Sequence, residues 1–508
     1  MKNLSEILFQ GKERDVMLIQ PHFLLRVLSQ NQNKIVIEYW NSLNNQEPMG
    51  DFVNEPNHGL YSLAASVLQS GYTVEVLDFH TLDMVLRDKE NRMIEYSDIE
   101  ESIIKNKSKI YGISCITVTV DATLKIAEMI KKYHPDSLVV VGGIHPTINS
   151  QEMLKNRNID IVIKGEGNIA IVELINCTKD SSDFDDIKGI CYKDKNGNYV
   201  ETHKRSCHDI DLDELPYPAY DLCSYESLPL MPRVFSSKGC PNGCAFCTCD
   251  SYFKTSYDDY KIQFRDPVKV VDEIEHLHKK YNIDFFDFGD LTFMVDKKRA
   301  HQLCNLLIER KLNHLRWWCQ TTVGRLDAED LALMRKAGCA QISMGIENSS
   351  QEVLDVMDKP VDFEKAINQC KLIRDADIQP VGYWLFGLGD ETFEGANRLI
   401  QTICYFIENE LNEITHIGIP VPYPGSPLYK SPEKFGYTII NHDFSNYWMN
   451  SDPLGYGTPN FRTTNLSEDH IYALWQYALM AATEKYKERN RRRMANKLNT
   501  LNHGGKSR

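Results

Sequence analysis

Cys240, Cys244 and Cys247 lie in the segment Ser-Lys-Gly-Cys-Pro-Asn-Gly-Cys-Ala-Phe-Cys, a C-x3-C-x2-C arrangement. Thiols this close on one stretch of chain can wrap three corners of an iron–sulfur cube, leaving the fourth iron without a protein ligand. An iron left open can bind a substrate, as an open metal position does in catalytic sites generally. Gly239 and Gly243 suit the tight backbone such a loop needs. Two other readings compete. A structural zinc wants four ligands, and Cys249 could supply the fourth. The thiols could also be a chance cluster of buried cysteines. A fourth thiolate would block the open iron, so the cluster reading makes Cys249 a bystander.

The loop follows an apolar run at residues 233–240 that reads as the first strand of a βα series. Later strands are predicted at 285–288, 316–321, 340–345, 380–386 and 414–420, with helical patterns between them, for example 267–281 and 363–376. Six such units make a partial (β/α)6, TIM-like barrel, open rather than closed. Barrels of this kind gather their chemistry at the C-terminal ends of the strands.

Upstream, strand patterns at 16–20, 73–78, 110–114, 137–143 and 159–167 alternate with helical ones such as 60–69 and 122–133. Continuous apolar strands separated by amphipathic helices predict a doubly wound parallel sheet, and its ligands bind beyond the carboxyl ends of the strands. Gly142 and Gly143 stand at such an end, where a missing side chain permits close backbone approach. Residues 190–200 read as a hairpin with Asn196-Gly197-Asn198 near its turn, and the proline- and acid-rich stretch 211–222 as a linker. The tail ends in a long helix with Ser467 as N-cap and Ile471, Leu474, Trp475, Ala478 and Leu479 along one face. The organisation expected is an α/β domain at 1–185, a hairpin and linker at 186–228, a barrel at 229–430 and a mostly helical region at 431–508.

The 508 residues are 42% hydrophobic and 25% charged, an ordinary globular composition. No run of about eighteen apolar residues occurs, and residues 1–15 lack a basic region followed by an apolar core. Neither a membrane span nor a secretory signal is therefore expected, and the location expected is cytoplasmic. A formal charge of −14 argues against a nucleic-acid partner. The basic run 489–493 reads as a solvated helix end. Of the 14 cysteines, Cys115, Cys304, Cys370 and Cys404 stand alone among apolar residues and read as small core side chains. A disulfide scaffold is not expected.

With these residues in view, the chain resembles the radical S-adenosylmethionine (SAM) superfamily. Cys240, Cys244 and Cys247 match its signature, and Phe246 matches an aromatic that packs near the adenine in that family. Residues 344–348, Met-Gly-Ile-Glu-Asn, resemble the fourth-strand Gly-Ile-Glu-Ser motif and make Glu347 a candidate cofactor contact. Residues 286–293 resemble the second-strand motif, with its acids Asp287 and Asp290. Residues 325–339 resemble the segment after strand three, with Arg325 a candidate carboxylate contact or a plain surface ion pair. Residues 386–392 resemble Gly-x-Pro-Gly-Glu-Thr with Gly389 and Asp390 in place of Pro-Gly, and 422–429 resemble the closing sixth-strand motif. The resemblance implies a [4Fe-4S] cluster whose open iron binds the amino and carboxylate groups of SAM, and cleavage to methionine and a 5′-deoxyadenosyl radical.

The first domain resembles the cobalamin-binding domain often fused ahead of that barrel, through residues 58–78, 112–119, 139–147 and 161–168, with Asn168 where glutamate is usual. Asp78-Phe79-His80 is similar to the start of the cobalt-ligating D-x-H-x-x-G motif, but Asp83 stands at the final glycine and the segment follows the second strand. His80 therefore reads as a strand-end residue rather than a cobalt ligand. The combined resemblance implies a cobalamin-dependent radical methyltransferase. It would methylate an unactivated carbon of a small-molecule or peptide substrate and take electrons from an external flavodoxin or ferredoxin. The alternatives are a rearrangement or cyclisation without methyl transfer, and a cluster protein for electron transfer or sensing; the open three-cysteine arrangement argues against the latter. Trp317 or Trp318, and Tyr383 or Trp384, are expected to line the pocket, since strand alternation sends one of each pair to the core. The tail is expected to close that pocket, and no catalytic residue is singled out.

Overall fold

The computed structural model describes residues 13–22, 30–43, 56–90, 92–180, 183–223, 230–444, 447 and 459–504. Most of the chain start read for a signal, and the last residues of the linker, lie outside them.

Strands β1 (Arg14–Gln20), β2 (Val74–Asp78), β3 (Ser108–Ser114), β4 (Leu138–Gly142) and β5 (Ile161–Ile163) run parallel in the order β2-β1-β3-β4-β5. Their alternate residues feed two cores: Leu18, Val76, Ile110 and Val140 on one face, Met17, Leu77, Tyr111 and Val141 on the other. Burial on both faces is why these strands read as unbroken apolar runs. The order reverses between β1 and β3, which opens a crevice beyond their carboxyl ends. Strands β6 (Ile190–Lys193) and β7 (Tyr199–Glu201) continue the sheet antiparallel beyond β5, around a turn in which Gly197 takes φ +82°. The predicted hairpin is thus the edge of this same sheet, which runs past residue 185 because buried Ile190 and Cys191 pair with Ile163 and Val162.

The second sheet has six parallel strands in chain order: β8 (Arg233–Val234), β9 (Phe285–Phe288), β10 (Arg316–Gln320), β11 (Cys339–Glu347), β12 (Gln379–Leu385) and β13 (Ile414–Gly418). Among the described residues β8 and β13 do not pair, so the barrel is open. Phe286, Trp317, Ile342, Trp384 and Ile417 are buried in the core. Their strand neighbours Asp287, Trp318, Gln341, Tyr383 and His416 are half-buried on the opposite, interior face.

Four helices matter for the site: α1 (Gln30–Leu43), α2 (His58–Gln69), α3 (Gln351–Val356) and α4 (Glu468–Gly504). The long α4 buries Ile471, Leu474, Trp475, Ala478 and Leu479, and Ser467 Oγ accepts from the His470 N–H at 3.3 Å. Strand β13 is an edge, and its outer carbonyls need partners. The Tyr39 hydroxyl of α1 donates to Thr415 C=O, and the Trp475 indole of α4 donates to Ile417 C=O at 2.9 Å. The basic run corrects its sequence reading. Arg489 is 1% exposed and donates to Asn412 C=O at 3.2 Å, and Arg493 pairs with Glu413 at 2.8 Å and Glu410 at 2.9 Å. Only Arg491 and Arg492 are solvated, because the run lies in mid-helix against the turn that leads into β13. No helix among the described residues is long and apolar enough to cross a membrane.

Candidate functional site

The three cysteines sit on the loop after β8, and the ends of four other strands hold that loop. Asp290, fully buried just beyond β9, accepts from the backbone N–H groups of Ser236 at 2.9 Å and Ser237 at 2.5 Å. Beyond β10, Thr322 Oγ1 accepts from Asn242 Nδ2 at 3.1 Å. Beyond β11, Met357 C=O accepts from the Ala245 N–H at 2.9 Å, and beyond β13 the Leu428 N–H donates to Ala245 C=O at 2.8 Å. Gly239 takes φ +113°, where a side chain is strained, and the Cys240 N–H donates to Tyr260 Oη at 3.1 Å. The loop turns back on itself through the Cys247 N–H and Cys244 C=O, 3.0 Å apart.

The thiols differ in their surroundings. A hydrogen bond from Cys249 pulls the Cys247 thiol down to about 6, while Cys249 itself is pushed far up. Burial lifts Cys244 to about 11, partly offset by the positive charge of Lys359.

Of the other predicted residues, Phe246 and Glu347 join this group. Glu347 ends β11, is 6% exposed and takes φ +68°, an uncommon conformation for a residue with a side chain. Its Oε1 lies 2.7 Å from Lys359 Nζ, which stands 5.7 Å from the centre of the Phe246 ring. Arg325 is half-buried on the loop after β10, and its guanidinium has no ion-pair partner among the described residues. The segment in which Gly389 and Asp390 replace Pro-Gly is tied down by buried Glu391. Its carboxyl accepts from Gly387 N–H and from Asn348 Nδ2, both at 2.7 Å, and burial holds it up at about 7.

A cavity of about 660 Å³ lies between the two sheets. Gln20, Ser114, Gly142 and Gly165, at or just beyond strand ends of the first sheet, line one side, and Phe235, Gly239, Thr248 and Cys249 of the cysteine loop line the other. The switch point of one sheet therefore opens onto the chemical end of the other. Gly143 also lines it, at φ +110°, where a Cβ would stand 2.5 Å from Cys115 C=O. At Gly142 a Cβ would meet nothing nearer than 3.8 Å. His80 lines the cavity from the first turn of the helix after β2, and Lys238 and Glu166 pair across it at 2.7 Å. Asn168 is buried and its amide donates to the hydroxyls of Ser62 at 3.0 Å and Ser66 at 2.9 Å, which ties it to α2.

Sequence reasoning missed Lys359 and the Glu166–Lys238 pair. Neither belongs to a spacing pattern, since each is made by residues that only the fold brings together. The aromatic pairs divide by alternation, with Trp317 and Trp384 in the core and Trp318 and Tyr383 on the interior face. Tyr383 stacks on His416 with ring centres 4.5 Å apart.

Comparison with known proteins matches residues 234–403 to the radical SAM superfamily and residues 53–175 to the B12 binding domain. An uncharacterized methyltransferase of Pyrococcus horikoshii is 26% identical over 392 residues, which cover 76% of this chain and 79% of the relative. The anaerobic magnesium-protoporphyrin IX monomethyl ester cyclase of Rubrivivax gelatinosus is 29% identical over 407 residues, 78% of this chain and 69% of that one. Among solved structures, the fold is similar to that of the radical SAM methyltransferase TsrM from Kitasatospora setae with tryptophan substrate and the SAM analog aza-SAM bound. The TM-score is 0.66 at 18% identity, covering 91% of this chain and 88% of that chain.

The residues present fit the groups these two domains use. The donor set of the loop is all sulfur, as an iron–sulfur cluster requires. The cavity at the first sheet's switch point has bare glycine backbone on its wall, as a large planar cofactor requires.

Proposed function

We propose that the chain is a radical SAM enzyme with a B12-binding domain ahead of its barrel, and that it transfers a methyl group to an unactivated carbon of a small-molecule or peptide substrate. The observation that carries this reading is the shared cavity, which opens the B12-type strand ends onto the cysteine loop. Bound there, the cluster with SAM supplies a carbon-centred hydrogen abstractor, and cobalamin supplies the methyl group.

In this reading Cys240, Cys244 and Cys247 hold three corners of the cluster, and Cys249 stays out, because a fourth thiolate would block the open iron. Glu347 is the candidate cofactor contact, and Phe246 would pack near the adenine of SAM. Arg325 is the candidate for its carboxylate. Gly142 and Gly143 let cobalamin approach the backbone of β4. Asp290 holds the start of the loop rigid, so the cluster does not drift relative to the cavity. Trp318, Tyr383 and His416 present rings to the barrel interior, where a substrate would lie. An external flavodoxin or ferredoxin delivers the electron.

With a true substrate, S-adenosylhomocysteine and 5′-deoxyadenosine should form in a ratio of about one to one, and a deuterated methyl group on SAM should reach the product. The cyclase of Rubrivivax gelatinosus marks the competing reading, a rearrangement or cyclisation without methyl transfer. Deoxyadenosine formed with substrate, but with no homocysteine product and no label, would establish that reading and end ours.

A further inference from the structure

Lys359 lies in the turn after α3, Met357-Asp358-Lys359-Pro360, where Met357 C=O accepts from the Ala245 N–H of the cysteine loop at 2.9 Å. That hydrogen bond ties the turn to the loop. The lysine Nζ lies 2.7 Å from Glu347 Oε1, and the two side chains are only 12% and 8% exposed. A buried ammonium is costly unless it is paired, so this cation is held in place by more than chance packing. It also stands over the Phe246 ring, between the second and third cysteines. Glu347 keeps its left-handed backbone with its carboxylate against this ammonium.

A cluster that takes up an electron gains one negative charge, and a nearby fixed cation favours that state. We propose that Lys359 is a positioning residue that raises the reduction potential of the cluster and holds Glu347 towards the cysteine loop. The inference rests on the cluster reading of Cys240, Cys244 and Cys247.

The test is anaerobic reconstitution of the full chain, with iron and sulfide counted and the reduced fraction followed by EPR at poised potentials. At the wild-type midpoint, Lys359→Gln should lower the ratio of reduced to oxidised cluster about tenfold, equivalent to about 59 mV for one electron. Glu347→Gln should raise that ratio by a similar factor, and the double variant should return close to wild type, because a neutral pair replaces a neutral pair. Lys359→Arg should stay within about twofold of wild type, since the charge is kept. A Lys359→Gln protein with full iron content and an unchanged ratio overturns the proposal, and so does a Glu347→Gln protein whose ratio fails to rise. Should Lys359→Gln lose its cluster, the Glu347→Gln and double variants decide alone. Wild-type chain that takes up zinc, or fewer than about four irons, instead sinks the cluster reading itself.

Discussion

Gly142 and Gly143 are adjacent and both line the cavity, yet a methyl group added at each meets different resistance. At Gly143 the backbone is at φ +110°, and a Cβ would stand 2.5 Å from Cys115 C=O and 3.2 Å from Cys115 N. Those are backbone atoms of the segment just after β3, locked by the Cys115 N–H donating to Gly142 C=O at 2.8 Å. Backbone at φ +110° and ψ −172° is nearly exclusive to glycine and costs a side chain about 1–3 kcal/mol, and yielding that hydrogen bond costs about 1 kcal/mol more. Gly143→Ala should therefore destabilise the protein by about 2–4 kcal/mol. At Gly142 the nearest neighbours of a Cβ are Ile163 O at 3.8 Å and Ile163 Cβ at 3.9 Å, ordinary contact distances. Gly142→Ala should change stability by no more than about 1 kcal/mol, because the smaller entropy of the unfolded chain offsets any local cost. Denaturant unfolding of the cofactor-free chain, followed by circular dichroism, measures both. Gly142 can then probe binding without a folding defect: in Gly142→Leu, hydroxocobalamin titrated by absorption should bind at least tenfold more weakly if the corrin or its tail lies against β4. A Gly143→Ala protein as stable as wild type would refute the steric argument. Undiminished binding by a folded Gly142→Leu protein would refute the placement of cobalamin.

Two further predictions follow from the same site. Cys240→Ala, Cys244→Ala and Cys247→Ala should each abolish the broad visible absorption of the reconstituted cluster while Cys249→Ala retains it; loss of the cluster in Cys249→Ala would overturn the ligand assignment. Burial holds Glu391 at about 7 against an ordinary 4.5, so the folded state binds its proton more tightly than the unfolded chain. Its contribution is full below pH 4.5 and fades as pH rises through about 7, amounting to at most about 3 kcal/mol. Urea unfolding between pH 5 and 8 should show this decline in wild type and not in Glu391→Gln, and an unaltered slope in the variant would contradict it.

What could be read in advance was whatever rests on local spacing. The C-x3-C-x2-C run, the apolar strands and the stripe on α4 are all periodic or clustered, and each reports one local geometry. The hairpin at 190–201 was visible as a hairpin, but its membership of the first sheet depends on pairing between Ile163 and Ile190, which no pattern encodes. Arg489 illustrates the opposite failure. A basic run reads as solvent-facing, yet Asn412 C=O and Glu413, some 76–77 residues away in sequence, claim it for an interior contact. Lys359 was invisible for the same reason, being twelve residues beyond Glu347 on a turn without any signature.

The linker is the part whose composition was most misleading, because proline and acid suggested a tether. Tyr220 within it is buried, its ring packs on Tyr61 with centres 5.5 Å apart, and the Ala219 N–H donates to Tyr61 C=O at 3.0 Å. Its hydroxyl approaches His58 Nδ1 at 3.5 Å, and the His58 ring meets Phe235 edge-on at 4.8 Å. Both His58 and Phe235 line the cavity. Burial and the positive charge of Lys238 hold His58 at about 3, so the imidazole stays neutral between the domains. The Glu166–Lys238 pair adds an electrostatic contact on the same rim. These contacts join the two sheets at the edge of the shared cavity, and α1 packed on β13 and α4 joins them again at the opposite edge of the second sheet. An interface of that kind resists the relative domain motion that is the default for chains joined by short linkers. The separation between the B12-type strand ends and the cysteine loop is therefore set by packing at both edges of the second sheet, and residues that line the site help to hold its two halves in register.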